Sequence, residues 1–302
     1  MTTRELLSCH PARVRDKSRW QEASHLNDLG LELTEHNKDA EAKQKFTLAI
    51  EKCPDYGTAW FNLGLAYKRS HEWAESARCF ERVVDLDGTT GDPAWWNLGI
   101  AATALRDWTT ARRAWTEFGI EIPPGEGELR MQLDTVPIRV GRDDFKEVNW
   151  CDRIDPARGI IMNVPHPATG RSWRDIVLHD GAPNGEREID GHIVPVFDEI
   201  EVWEPSNIPT TMFEVELAEP EDADELKSLF SDQELVAEDF TTNSRVLCKR
   251  CSEGRPIPGH THEAESPPNA RTFGIAGPPE VTRALVTQWA GDGSGRRAIE
   301  TE

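Results

Sequence analysis

Two cysteines and two histidines within one short stretch are the side chains in this chain best suited to chemistry. Cys248-Lys249-Arg250-Cys251 is followed by His260-Thr261-His262. A Cys-x-x-Cys knuckle can turn both sulfurs toward one ion, and a His-x-His pair nearby can complete a tetrahedron. Two sulfurs with two imidazole nitrogens suit zinc, and the charges of Lys249 and Arg250 favour the thiolate forms. Four protein ligands close the shell and leave no position for water. The expectation is therefore a structural zinc held by Cys248, Cys251, His260 and His262. A catalytic ion would require one of these ligands to be absent, with Glu253, Glu263 or Glu265 as the base. Two other readings stand beside it: reduced thiols in a Pro/Gly-rich loop, or a redox pair. The pair follows an extended run and precedes Ser252-Glu253-Gly254 rather than opening a helix, which weighs against redox chemistry.

The surrounding chain must position that segment. Phe213, Val215 and Leu217 alternate with Glu214 and Glu216, as in a strand with one wet face. A helix follows Pro220, with Ala223, Leu226, Leu229 and Phe230 on one side, and a second extended run ends at Cys248. The plan then repeats: strand 272–276, helix 279–290 with Val281, Leu285 and Trp289 on one face, and strand 297–300. Two successive strand-helix-strand units resemble the ferredoxin-like α+β arrangement, which predicts such a domain over 210–302 with the Cys/His stretch as an insertion at 248–270. Before it, short alternating runs such as Val136, Ile138 and Val140, with turn signals at Asp180-Gly181 and Asn184-Gly185, predict a small all-β domain over 130–207. A curled sheet or partly open barrel fits these runs. His166, His179 and His192 fall within it, and no spacing brings them together.

Upstream the period is helical. Asn27-Asp28-Leu29-Gly30, Phe61-Asn62-Leu63-Gly64 and Trp96-Asn97-Leu98-Gly99 recur with their glycines 34 and 35 residues apart. The first copy continues through Leu33, Ala42, Phe46, Ala49 and Pro54. The second continues through Tyr67, Ser76, Phe80, Val83 and Gly88, and the third through Ala102, Ala111, Trp115, Phe118 and Pro123. In physical terms a glycine lets two antiparallel helices approach, small residues fit beneath them, and an aromatic fills the remaining space. Asp92-Pro93 is a helix start, with a capping carboxylate and a proline whose missing N–H costs nothing there. This stretch resembles the tetratricopeptide repeat family. The resemblance implies an α-solenoid of three repeats over 23–56, 57–90 and 92–124, preceded by a polar arm at 1–22 that turns helical near Trp20.

The resemblance also implies a concave groove lined by the first helix of each repeat. Carried over by register, that groove holds Asn27 and Leu31; then Phe61, Asn62, Leu65, Lys68 and Arg69; then Trp96, Asn97 and Ile100. The best-known groove chemistry of the family is a basic and asparagine clamp for a terminal carboxylate. Of its five positions only Asn62 matches, with Asn27, Leu31, Pro93 and Asn97 at the others. What remains is an apolar strip of Leu31, Phe61, Leu65, Trp96 and Ile100, with asparagines able to hold a peptide backbone.

Charge narrows the partners. The chain of 302 residues carries a net charge of -20, of which residues 125–302 account for -17. Such a balance repels phosphate backbones and excludes nucleic acid as the expected ligand. No apolar run reaches the roughly 18 residues needed to cross a bilayer, and the start lacks the apolar core of a signal peptide. Six scattered cysteines fit a reducing cytoplasm. No Gly-rich phosphate loop or nucleophile elbow is present. The composite expectation is a cytoplasmic protein-protein adaptor that binds a peptide or partner surface through the groove. The alternatives are a zinc-dependent enzyme that recruits substrate through its repeats, or a ligand-sensing regulatory protein.

Overall fold

In the computed structural model, residues 17–142, 144–189, 192–243, 269–293 and 295–301 are described. The Cys248, Cys251, His260 and His262 set lies outside them, as does the extended run expected to end at Cys248. The chain divides into two compact units, residues 1–121 and 122–302.

Helical periodicity in the first unit becomes six helices: α1 (Lys17–Glu35), α2 (Asp39–Lys52), α3 (Gly57–Arg69), α4 (Trp73–Asp87), α5 (Pro93–Ala104) and α6 (Trp108–Phe118). They pack as three hairpins, α1 on α2, α3 on α4 and α5 on α6. The close approach inside each hairpin occurs at the repeat glycine. A Cβ at Gly30 would lie 2.4 Å from the Phe46 ring, at Gly64 2.9 Å from Phe80, and at Gly99 2.7 Å from Trp115. Those three rings are wholly buried, and Ser76 donates its hydroxyl to the Gly64 carbonyl at 3.0 Å. Each hairpin turn holds one residue in the left-handed region, Asn37, His71 and Arg106, which ends the first helix of each pair. As expected, the Asp92 carboxylate caps α5 by accepting from the Ala94 N–H at 2.7 Å. Helix α1 begins six residues before Ala23, and the edge of Trp20 meets the Tyr56 ring at 5.1 Å.

In the second unit, strands β1 (Thr135–Arg142), β2 (Phe145–Arg153), β3 (Arg158–Ile161), β4 (Ile176–His179) and β7 (Phe197–Glu204) form a closed barrel. The curled or partly open sheet expected from the alternation is therefore corrected. Strand β7 returns to pair antiparallel with β4 and parallel with β1 through Ile138↔Phe197 and Arg139↔Asp198. Val136, Ile138, Val140, Cys151, Ile161 and Val177 fill the interior, with Phe197 packed against them. Strands β5 (Glu186–Ile189) and β6 (His192–Pro195) make a separate two-stranded hairpin.

The chain then builds β8 (Thr210–Glu216), α7 (Asp222–Ser231), β9 (Val236–Asp239), the short α8 (Phe240–Asn243), β10 (Ala270–Ala276), α9 (Pro279–Asp292) and β11 (Arg297–Thr301). Its four strands form an antiparallel sheet in the order β11-β8-β10-β9. Phe213, Val215 and Leu217 meet Ala223, Leu226 and Phe230 of α7 and Val286 and Trp289 of α9. The buried face of α9 is Thr282, Val286 and Trp289, with Leu285 partly buried; Val281, expected on that face, is exposed. Val164 and Trp173 from the barrel segment pack with Phe240 and Ala276 from the sheet, so a small shared core joins the two parts of this unit.

Candidate functional site

Helices α1, α3 and α5 carry every expected groove position. Asn62 and Asn97 are equivalent in register, two residues before their glycines, whereas Asn27 stands where Phe61 and Trp96 follow; all three amides are engaged with the protein itself. Asn62 Nδ2 donates to Asn27 Oδ1 at 2.8 Å, linking α3 to α1. Lys68 Nζ donates to Asn97 Oδ1 at 2.8 Å, linking α3 to α5, and Asn97 Nδ2 donates to the Pro93 carbonyl at 2.9 Å. Asn27, Lys68 and Asn97 are all buried. They form the floor of the inner face, and Asn27 and Asn97 do not lie on the surface as groups for a peptide backbone. Burying a polar amide without a partner costs about 1–3 kcal/mol, so these pairings fix the floor.

The apolar strip is shorter than expected. Leu31 is 41% exposed, Phe61, Leu65 and Trp96 are half-buried, and Ile100 is fully buried. Helix α5 buries nine of its twelve residues. The signal was present in the sequence: Pro93–Ala104 contains no charged side chain, and a helix apolar on all sides is a buried one. Phe61 sets its edge against Phe80 at 5.5 Å, and Trp96 against Trp115 at 5.1 Å and Phe118 at 5.0 Å. These rings are held in place by the second helices, so the strip is rigid. Arg69 is exposed at its end and ion-paired to Asp39 at 3.0 Å.

The second unit holds several buried polar groups that the sequence reading passed over. Arg158 is wholly buried, with Nε on Asp155 at 2.6 Å, Nη1 on Glu128 and Nη2 on the Leu129 carbonyl, both at 2.8 Å, and its guanidinium over the Trp203 ring. Such a charge, paired on every side, is a structural staple. Glu199 accepts from Arg171 and from the Gly141 N–H, and burial raises its pKa above the usual range. His179 is wholly buried, with Nδ1 against the Asp180 carbonyl, and burial pushes its pKa down to about 4. The three histidines of this stretch have different surroundings: His166 lies between the Phe145 and Phe240 rings, His179 against Phe197, and His192 is exposed on β6. Burial pushes the Cys79 thiol up to about 12 and raises Cys151 as well, which keeps both from acting as nucleophiles. Among the described residues no group of three or more His, Cys, Asp or Glu side chains is placed to hold a metal, and no helix is long and apolar enough to cross a membrane.

Comparison with known proteins bears on the helical unit. Residues 57–90 match the family described as tetratricopeptide repeat. No curated protein matches the chain. One similar solved structure is the first tetratricopeptide domain of Spaghetti (RPAP3) bound to an HSP90 peptide, SRMEEVD. It shares 22% identity over 32% of this chain and 77% of that one, with a TM-score of 0.31. A second is the Sgt2 tetratricopeptide domain from Aspergillus fumigatus, with 23% identity over 32% and 64% of the two chains and a TM-score of 0.30. The second tetratricopeptide domain of Spaghetti, bound to the same peptide, shares 20% identity over 34% and 95%, with a TM-score of 0.32. The match over α3 and α4, repeated in register by the glycine-aromatic hairpins on either side, makes the N-terminal helical unit a tetratricopeptide repeat array, joined to a β-rich C-terminal region.

Proposed function

We propose that this protein is an interaction adaptor whose repeat array takes a peptide or partner surface along its inner face. The observation that carries the reading is the strip of Leu31, Phe61, Leu65 and Trp96, exposed or half-buried and rigidly backed, above a floor of self-satisfied amides. Fixed aromatic and aliphatic groups are the usual anchors of a binding hot spot. The HSP90 peptide of the Spaghetti structures is acidic, whereas the clamp positions here hold Asn27, Leu31, Asn62, Pro93 and Asn97, without a cation. Lys68, the nearby cation, is buried on Asn97. The ligand class that fits is therefore an apolar segment, recognised by its side chains more than by a terminal carboxylate. The C-terminal sheet follows the ferredoxin-like plan in this reading, supported by its strand order and by the β-α-β-β-α-β sequence of its main elements. The barrel is read as the core of the small all-β domain.

The test is selection of a random peptide library on the full chain, with Trp96→Ala and Leu31→Glu as counter-targets and Leu48→Glu, an exposed change on α2, as the control. Peptides enriched in apolar residues, retained by the control and lost at least about tenfold by the two inner-face variants, are the expected result. Equal retention by all four proteins removes the groove from consideration.

A further inference from the structure

Strand β11 is an outer strand. Among the described residues it pairs with β8 alone, in a register without shifts. Ala298 lies opposite Val215 and packs on the core, and Glu300 reaches Arg283 of α9. The alternate residues Arg297, Ile299 and Thr301 therefore face away from the helices. Ile299, at the middle of the strand, is 66% exposed. Sheet edges are commonly blunted by proline, by a bulge or by charged side chains; Arg297–Thr301 has no proline and no bulge, and its two charges, Arg297 and Glu300, are each paired within the chain.

We propose that β11 pairs antiparallel with β11 of a second copy of this chain, with Ile299 on the two-fold axis, merging two four-stranded sheets into one. A two-fold perpendicular to the sheet requires opposed side chains to share a face, so the register must be centred on a single residue. Centring on Glu300 sets two carboxylates against each other. Centring on Ala298 puts Arg297 opposite Ile299. Centring on Ile299 packs it on its own copy, places Arg297 opposite Thr301 and Ala298 opposite Glu300, and opposes no like charges. The strand itself is also locally neutral: Arg297 faces Glu216 at 3.6 Å, and Glu300 is paired with Arg283 at 2.7 Å, while Glu214, across from Ile299, lies on β8, one strand back from the edge. In a region carrying most of the -20 net charge, that neutrality lets two copies approach here. A contact of this size is small, so the association is weak and reversible.

Sedimentation velocity of the full chain, from about 1 to 200 μM, reads the equilibrium directly. The expected result is a monomer–dimer equilibrium that Ile299→Glu weakens at least about tenfold, and that mixing Ile299→Glu with Ile299→Lys restores as a heterodimer. Amide exchange over 297–301 should slow with concentration in the wild type and not in Ile299→Glu, an independent readout of the same pairing. Matched circular dichroism spectra establish that the variants are folded. A monomer throughout the range overturns the proposal. So does a dimer that Ile299→Glu leaves intact, since it must then form through another face.

Discussion

Replacing Gly99 with alanine sets two effects of known size against each other. Alanine inside a helix is favoured over glycine by about 1 kcal/mol. Opposing this, the new methyl would lie 2.7 Å from three atoms of the Trp115 ring. Carbon contacts are most favourable at about 3.5–4.0 Å, so the ring must retreat by close to 1 Å. Trp115 is wholly buried and its edge already meets Trp96, so it cannot retreat cheaply. Overpacking of this kind costs about 1–3 kcal/mol, and a ring with no room to retreat puts Gly99→Ala in the upper half of that range, about 2–3 kcal/mol, for a net loss of about 1–2 kcal/mol. Gly30→Ala, with the Phe46 ring at 2.4 Å, should lose at least as much. At Gly64 the Phe80 contacts are 2.9 to 3.1 Å, so the packing cost and the helix gain nearly cancel. The assay is urea unfolding of the full chain followed by circular dichroism at a helix wavelength, to which the six repeat helices contribute heavily. Adding Trp115→Leu to Gly99→Ala should then destabilise by less than the two changes summed, because the smaller side chain leaves room for the methyl. Gly99→Ala as stable as wild type, or Gly64→Ala more harmful than Gly30→Ala, would refute the view that these glycines exist to admit a ring.

Two further outcomes follow from the second unit. His179 is held neutral in the folded barrel, at about 4, chiefly by burial. Above about pH 6.5 neither state binds its proton; as the pH falls from there toward 4, the unfolded chain takes up a proton that the folded chain refuses. Stability should therefore fall by up to about 1.4 kcal/mol per pH unit across that window, and His179→Phe should flatten the slope in urea titrations at several pH values. An unchanged slope would assign the acid sensitivity elsewhere. For the Cys/His segment, elemental analysis of protein purified without added metal should find about one zinc per chain, lost in Cys248→Ser/Cys251→Ser; no zinc in either protein removes that site.

Local signals carried the repeat array and failed where contacts are distant. The Gly-aromatic pairs lie 16 residues apart and report a hairpin that closes on itself, so α1 to α6 were legible to within a few residues. Closure of the barrel was not. It depends on Ile138 meeting Phe197, almost 60 residues away, and a run of alternating residues looks the same in an open sheet and a closed one. Register along the first helices was more legible than exposure. Ile100 follows its repeat glycine as Leu31 and Leu65 do, yet it is buried because α5 has no polar side to turn outward. Arg158 escaped notice for the same reason as the barrel seam: its partners Glu128 and Trp203 are 30 and 45 residues distant, and nothing local marks an arginine as buried.

The amide and ammonium links between inner helices have a mechanical meaning. Asn62 to Asn27 and Lys68 to Asn97 tie α3 to α1 on one side and to α5 on the other. They are two cords strung between hairpins whose own cohesion comes from the glycine-aromatic contacts. Any movement that spreads the first helices apart must stretch those cords before it disturbs the rings inside each hairpin. Slackening one cord would therefore loosen the spacing between repeats and leave the packing within each repeat as it is.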